Sequence, residues 1–214
     1  MPYTPLLFDE NQLKTPFMTT VVPDDLLPLI GHVTVIWGFY EDLFDEFLMM
    51  MIHENGKEPG HGWKTRHYKA RKALFKKQAK ICFGHSASVI DYISKMLTDS
   101  LPLHRERNIV THGRIAGIPQ DYGDDIIEAT GFVKKKPVTI VLNQEKLVRL
   151  FHGLGHLAGR MQYLHDPRDD EEDDPAPLEP PARLVLRDFW SRNRQTLANL
   201  NKLAHPPSAA RPKA

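Results

Sequence analysis

The sequence predicts a mainly α-helical protein that carries one β-hairpin. Apolar residues recur every three or four positions from Asp25 to His53, a periodicity typical of a long amphipathic helix. Shorter segments downstream repeat this periodicity and are separated by Gly, Pro and Asn, which interrupt helices. Two β-prone segments, 125–133 and 137–142, flank Lys134–Lys136, an arrangement typical of a hairpin.

The composition indicates a globular chain and excludes several other classes. Of the 214 residues, 41% are hydrophobic and 26% charged, which excludes a wholly disordered or fibrous protein. No apolar run reaches the roughly 20 residues of a membrane span. Residues 1–5 do not resemble the start of a secretory signal. We therefore expect a cytoplasmic protein with no membrane partner.

The first predicted helix follows an extended N-terminal arm over residues 1–22. Asp24 and Asp25 can cap the helix, which is about 40 Å long if it runs to His53. The apolar positions of its main face are Leu26, Ile30, Val33, Trp37, Tyr40, Phe44, Phe47 and Met51. A second apolar stripe widens that face and consists of Leu29, Ile36, Leu43 and Met50. So wide a face predicts the spine of a bundle or part of a dimer interface.

Three more helices are predicted before the hairpin. A basic helix runs over residues 64–83 and ends at a glycine. A third helix has Ser86 or Ser88 as its N-cap and an apolar face of Val, Ile, Met and Leu. A fourth, short helix over residues 99–112 has a proline in its first turn and stops at Gly113.

The helical pattern is interrupted by a β-hairpin near residues 114–142. Asn143 is then expected to cap a helix that runs to about His165. This helix carries an apolar face at helical spacing, so it completes a helical bundle over residues 24–165.

Charge is segregated in the C-terminal region. Residues 166–181 hold eight acids and one arginine among many prolines, and predict a disordered linker. An amphipathic helix over 182–204 and a disordered tail over 205–214 follow. Without the linker, 27 basic and 19 acidic residues remain, so the body has a net charge of +8 and suits a polyanionic partner. We expect the linker to be a spacer; the alternative is that it competes with nucleic acid for the basic helix.

The basic helix belongs to a segment, residues 57–80, that holds nine Lys or Arg and one acid. Trp63 and Tyr68 interleave with these charges. Lys and Arg bind phosphates and aromatic rings stack on unpaired bases, so the segment indicates a nucleic-acid surface. The alternative is a solvated helix face with its aromatics in the core. The candidate nucleic-acid-binding residues are Lys64, Arg66, Lys69, Arg71, Lys72, Lys76 and Lys77.

The most informative local signal is the segment from Leu103 to Gly113, which contains Arg107, Asn108 and His112. On a helix Asn108 and His112 share a face, and the long side chain of Arg107 can reach the same cleft. The dipole at a helix C-terminus favours the imidazolium form of a histidine. A histidine beside a permanently charged arginine suits cleavage of a phosphodiester.

This arrangement, an arginine followed by a polar residue, three residues and a histidine, resembles the signature of the HEPN superfamily. Gly113, and a long first helix with Trp37 and Glu41, are similar to features of bacterial HEPN-like proteins. The resemblance covers about residues 24–165 and implies a HEPN-like helical bundle. The inserted hairpin departs from the simplest, all-helical members of the superfamily.

The resemblance implies a metal-independent endoribonuclease without a cofactor. In such an enzyme the ribose 2′-hydroxyl attacks the adjacent phosphorus. His112 would move the proton, Arg107 would stabilise the transition-state charge, and Asn108 completes the motif. The site is usually shared between two protomers, so RNA and a second copy of the chain are the expected partners. The class most often associated with this resemblance is a toxin or phage-defence ribonuclease, which leaves room for a cognate inhibitor protein.

Two other functions stay open at this point. One is a non-catalytic HEPN-like RNA-binding or scaffold module. The other is a protein-interaction module that uses the C-terminal helix. His152 and His156 stand four apart on a predicted helix, but Gly153, Leu154 and Gly155 lie between them, so we predict close helix packing and no metal site. Cys82, the single cysteine, predicts a buried, inert thiol.

Overall fold

The protein's structure, a computed structural model, describes residues 22–57, 67–115, 126–133, 135–167 and 178–204, with side chains described up to Asn193. The predicted arm before residue 22, the linker residues 168–177 and the tail lie outside this part. The elements follow in the order α1 (Leu26–Glu54), α2 (Tyr68–Phe83), α3 (Ala87–His112), β1 (Arg114–Ile115), β2 (Ile127–Val133), β3 (Lys136–Leu142), α4 (Gln144–His165) and α5 (Pro180–Ala204). The prediction of a mainly α-helical fold with a β-hairpin is confirmed. None of the described helices is long and apolar enough to cross a bilayer.

Helix α1 is the spine of the fold and packs against each of the other four helices. The residues of its main apolar face are buried except Ile30, which is half-buried; the buried ones are Leu26, Val33, Trp37, Tyr40, Phe44, Phe47 and Met51. Leu43 and Met50 of the second stripe are buried as well. The predicted cap is wrong in detail, because Asp25 occupies the N-cap position without a side-chain capping hydrogen bond.

Helix α3 is one continuous helix with Pro102 inside it, where the sequence predicted two helices. Pro102 lacks the N–H that a helix interior requires, and its ring crowds the preceding turn, at a cost of about 3 kcal/mol. In that turn the Leu97 carbonyl accepts hydrogen bonds from Ser100 Oγ at 2.8 Å and from Lys72 Nζ at 2.5 Å. Buried side chains on both sides of Pro102 join the same core, and this packing holds the helix together.

The hairpin is confirmed and belongs to a three-stranded antiparallel sheet in the order β1-β2-β3. In the β2–β3 ladder Val133 pairs with Lys136, so the strands turn within the predicted lysine run. The two-residue strand β1, which the sequence analysis missed, pairs Arg114 with Thr130. Because β1 follows α3 directly, this pairing ties the sheet to the C-terminal end of α3.

Helix α4 begins where the sequence predicted, because the Asn143 side chain accepts a hydrogen bond from the Lys146 N–H at 2.9 Å. Helix α5 begins at Pro180, two residues earlier than predicted, and Leu178 before it is buried. The last four residues assigned to the linker therefore belong to the folded body or to α5.

The apolar side of α5 packs on the bundle. Phe189 and Trp190 are buried against Phe47 of α1. The Trp190 indole donates a hydrogen bond to the Leu164 carbonyl at 2.7 Å, and its ring stacks on His165 at 4.8 Å. Burial lowers the pKa of His165 to about 4, although its ring N–H donates to a backbone carbonyl. The described part of α5 is therefore an integral layer of the fold.

Candidate active site

A groove with a volume of about 960 Å³ lies between α2 and α3 and ends at the sheet. Helix α2 contributes Lys69, Lys72, Ala73 and Lys76 after Tyr68. Helix α3 contributes Leu101, His104, Arg105, Asn108, Ile109 and His112. The strands contribute Arg114, Thr130, Gly131, Phe132 and Val133. None of these described lining residues is acidic, while five are Lys or Arg and two are His.

The three lysines reach the groove because their spacing of three and four residues places them on one face of α2. The stripe is about 10 Å long. Lys72 is half-buried, and its pKa is lowered first by burial and then by the positive charges of Lys76 and Arg105. The charged side chains that shift the pKa of Lys72 are therefore positive, like Lys72 itself. The groove carries unbalanced positive charge and attracts anions.

The three predicted catalytic residues form one hydrogen-bonded cluster at the end of α3. Arg107 Nη1 donates to Asn108 Oδ1 at 3.0 Å and lies 3.1 Å from His112 Nε2. A guanidinium can only donate, so this contact is a hydrogen bond when Nε2 of the His112 ring is the acceptor.

Arg107 and His112 differ in their exposure. His112 is exposed and lines the groove. Arg107 is half-buried and does not itself line the groove. It contacts Asn108 and His112, and both of these residues line the groove. The guanidinium carbon lies 5.9 Å from the centre of the Trp37 ring, so α1 supports Arg107 from behind.

His104 is a member of the site that the sequence analysis missed. Asn108 Nδ2 donates to His104 Nε2 at 3.1 Å, since the other side of the amide already accepts from Arg107. The His104 ring stacks on Tyr68 at 4.6 Å and lies 5.2 Å from Trp37. Burial lowers the pKa of His104 and so favours the neutral ring. The sequence does contain a signal for His104, because positions 104, 108 and 112 are spaced four apart and share one helix face.

The structure removes Arg71 from the predicted nucleic-acid surface. Arg71 is only 7% exposed, and its guanidinium forms ion pairs with Glu41 and, at 2.7 Å, with Asp45. These pairs join α2 to α1, so the charge of Arg71 is neutralised inside the protein. The helical periodicity alone could not show this, because both carboxylates lie on another helix.

The other predicted basic residues divide into three groups. Lys69, Lys72 and Lys76 line the groove. Lys77 is exposed on α2 without lining it. Lys64 and Arg66 lie outside the described residues.

Histidine and cysteine residues elsewhere do not assemble a site in the described part of the chain. His152 and His156 are exposed on α4, and no cluster of three or more metal-ligating side chains occurs among the described residues. Burial raises the pKa of the half-buried Cys82 thiol to about 11, so it is a poor nucleophile at neutral pH.

Gly113 allows α3 to end against the sheet. A Cβ atom at this position would lie 2.2 Å from the Ile109 carbonyl oxygen and 3.1 Å from the Thr130 carbonyl oxygen. The backbone must move to accept it, and we expect Gly113→Ala to lower the free energy of unfolding by about 1–3 kcal/mol. Gly159→Ala is the matched control, because Gly159 is exposed on α4 and an added Cβ there would meet nothing within 4 Å. This variant should stabilise the helix by about 1 kcal/mol. Urea titrations in which both variants are stabilised would contradict the close approach.

Comparisons of the chain with protein-family models, with curated proteins and with solved structures find no match. The resemblance to the HEPN superfamily thus rests on the motif around Arg107 and His112.

Proposed function

We propose that this chain is a metal-independent endoribonuclease-like protein that cleaves RNA by attack of the ribose 2′-hydroxyl on the adjacent phosphate. The observation that carries the proposal is the position of His112. Its ring is exposed on the wall of a groove whose described charged residues are all basic, with Nε2 3.1 Å from the Arg107 guanidinium. A proton acceptor, a fixed cation and an anion-attracting groove meet at one point.

The cluster links substrate binding to activation of the base. A phosphate beside His112 competes for the Arg107 guanidinium, and a guanidinium prefers an anion to a neutral nitrogen. Nε2 is then free to take the proton of the 2′-hydroxyl while the O2′–P bond forms. The P–O5′ bond breaks, and the leaving oxygen takes a proton from the imidazolium or from water. The products are a 2′,3′-cyclic phosphate and a 5′-hydroxyl.

Arg107 and its neighbours stabilise the charge that this step creates. The guanidinium balances the extra negative charge on the phosphorane oxygens, where a fixed donor is worth 10²- to 10³-fold in rate. Asn108 accepts one Arg107 N–H and is itself held by His104, which rests on Tyr68. His104 and Asn108 are therefore positioning residues that keep the guanidinium in place.

The experiment that tests this proposal is an RNA degradation assay in EDTA. Unmodified RNA should be cleaved, and the 5′ fragment should carry a 2′,3′-cyclic phosphate. The same RNA with 2′-deoxy residues should stay intact, because the nucleophile is missing. Cleavage that stops in EDTA, or that proceeds on the deoxy substrate, would contradict the proposal.

A non-catalytic RNA-binding module is the second candidate, and one observation favours it. The Arg107 side chain is half-buried over Trp37 and makes its hydrogen bonds within the protein, as a purely structural arginine does. RNA binding without cleavage in the same assay would select this function. The third hypothesis, a C-terminal docking helix, cannot use Leu186 or Trp190, which are buried against the bundle. It depends on Leu197 and Leu200, whose side chains lie outside the described part of α5.

A homodimer is also part of the proposal, and an exposed apolar strip on α1 favours it. Although the main face of α1 is covered, Val35 is 72%, Phe39 46% and Leu27 41% exposed. Their spacing of eight and four residues places them along one side of the helix. A second copy of the chain would cover this strip.

Val35→Glu should convert the dimer into a monomer, because a carboxylate at the contact cannot be buried without a partner. Light scattering at micromolar concentrations measures the mass of each variant. Leu184→Glu is the matched control, since Leu184 is 62% exposed on α5 and lies away from the strip in the chain. A monomeric wild type, or equal masses for the wild type and Val35→Glu, would remove this interface.

A further inference from the structure

We propose that the hairpin supplies a base-stacking position in which Phe132 receives an unpaired base of single-stranded RNA while the lysines of α2 hold its backbone. The inference extends the proposed function by naming the form of the substrate. Its evidence is the placement of an exposed aromatic ring in a groove whose described charged residues are all basic.

Phe132 is a large aromatic residue on the outer face of β2, where it alternates with the buried residues at positions 127, 129 and 131. Its side chain is 77% exposed, more than any other large hydrophobic residue among those described. The residue across the ladder is Pro137, which is itself exposed, and none of the described aromatic rings packs on Phe132. Yet Phe132 lines the groove together with Lys69, Lys72 and Lys76. An exposed aromatic ring lowers solubility, and this ring adds no buried area to the hydrophobic core.

The strand beneath Phe132 is held firmly. Gly131 lies against α3 so closely that a Cβ atom would come within 2.9 Å of Ile109 Cγ1. Ile127 and Ala129 of the same strand are buried in the core. Phe132 therefore occupies a defined place relative to α3, the helix that carries His112 and Asn108, and a base stacked on it would be positioned as well as bound.

The chemistry of the groove selects one class of ligand. A cationic track beside an exposed aromatic ring is the arrangement that binds single strands, because lysines follow the phosphates and every base offers a flat face for stacking. In a duplex the bases stack on one another and offer no free face to Phe132. An acidic protein segment would satisfy the lysines and leave the ring without a specific partner.

Equilibrium binding of a 2′-O-methylated RNA oligonucleotide, which cannot be cleaved by this route, tests the inference. Wild-type chain should bind the single strand more tightly than its duplex. Phe132→Ala should weaken binding of the single strand about tenfold and leave duplex binding unchanged. Phe132→Trp should retain the affinity, because a larger ring still stacks. Val141→Ala is the matched control, since Val141 is 43% exposed on β3 and does not line the groove.

The salt dependence separates stacking from a loss of fold or charge. Phe132→Ala should keep the wild-type slope of log affinity against log salt, because no phosphate contact is lost, while Lys76→Ala should lower that slope by about one unit. Equal binding of single strand and duplex, or an unchanged affinity in Phe132→Ala, would overturn the inference. The probe cannot be cleaved, so binding and cleavage are measured separately. If the chain binds single strands through Phe132 but does not degrade RNA, only the catalytic proposal is refuted.

Discussion

His112→Ala should reduce the rate of RNA cleavage in EDTA by a factor of about 10² to 10⁴, the usual contribution of a general acid–base group. Arg107→Ala should cost about 10²- to 10³-fold, because a fixed cation beside the reacting phosphate is lost. His112 is exposed at a helix end, so thermal unfolding of His112→Ala should stay close to wild type. Arg107→Ala also loses the packing of its side chain over Trp37, so its unfolding temperature should fall by a few degrees while the chain stays folded.

Matched controls are available on α4. His152→Ala and Arg149→Ala remove an exposed histidine and an exposed arginine whose ion pair with Glu145 contributes little to stability. Both controls should cleave at the wild-type rate. Wild-type rates in both His112→Ala and Arg107→Ala would contradict the proposal that the cluster is catalytic. Equal losses of rate in all four variants would point to a general effect of charge.

Trp190→Ala should lower the free energy of unfolding by about 3–5 kcal/mol, the usual cost of truncating a buried aromatic residue. The indole is 5% exposed, packs on Phe47 and His165 and donates to the Leu164 carbonyl. Its removal leaves a cavity between α5 and the bundle and strands that carbonyl without its donor. Urea denaturation followed by circular dichroism gives the difference.

Leu184→Ala on the same helix provides the control for this measurement. Leu184 is 62% exposed, so its truncation should change stability by no more than about 0.5 kcal/mol. If Trp190→Ala cost as little, α5 would not be a layer of the fold, and its apolar face would again be free for a partner protein.

Several features follow from local sequence alone, because their causes lie within a few residues. The apolar periodicity over Asp25–His53 predicted α1 to within one residue at each end. Asn143 predicted the start of α4, since an N-cap needs only the amide three residues on. The hairpin followed from two β-prone segments around a short polar turn. The grouping of Arg107 with His112 followed from their positions on one helix end.

Other features were decided by partners that are distant in the chain. Arg71 looked like part of a basic surface, but Glu41 and Asp45, about thirty residues earlier, neutralise it. The break expected near Pro102 does not occur, because buried side chains on both sides of the proline pack into one core with the other helices. Helix propensity and periodicity contain no information about such partners.

The site shows the same division. The sequence by itself determined that Arg107, Asn108 and His112 lie together near the end of a helix and that α1 spans the bundle. Only the tertiary structure decided that His104 braces Asn108 from a stack on Tyr68, and that Phe132 lines the lysine groove. Local patterns specify helices and strands through backbone hydrogen bonds and periodic burial. Which faces meet depends on packing between distant segments, and that packing creates the groove.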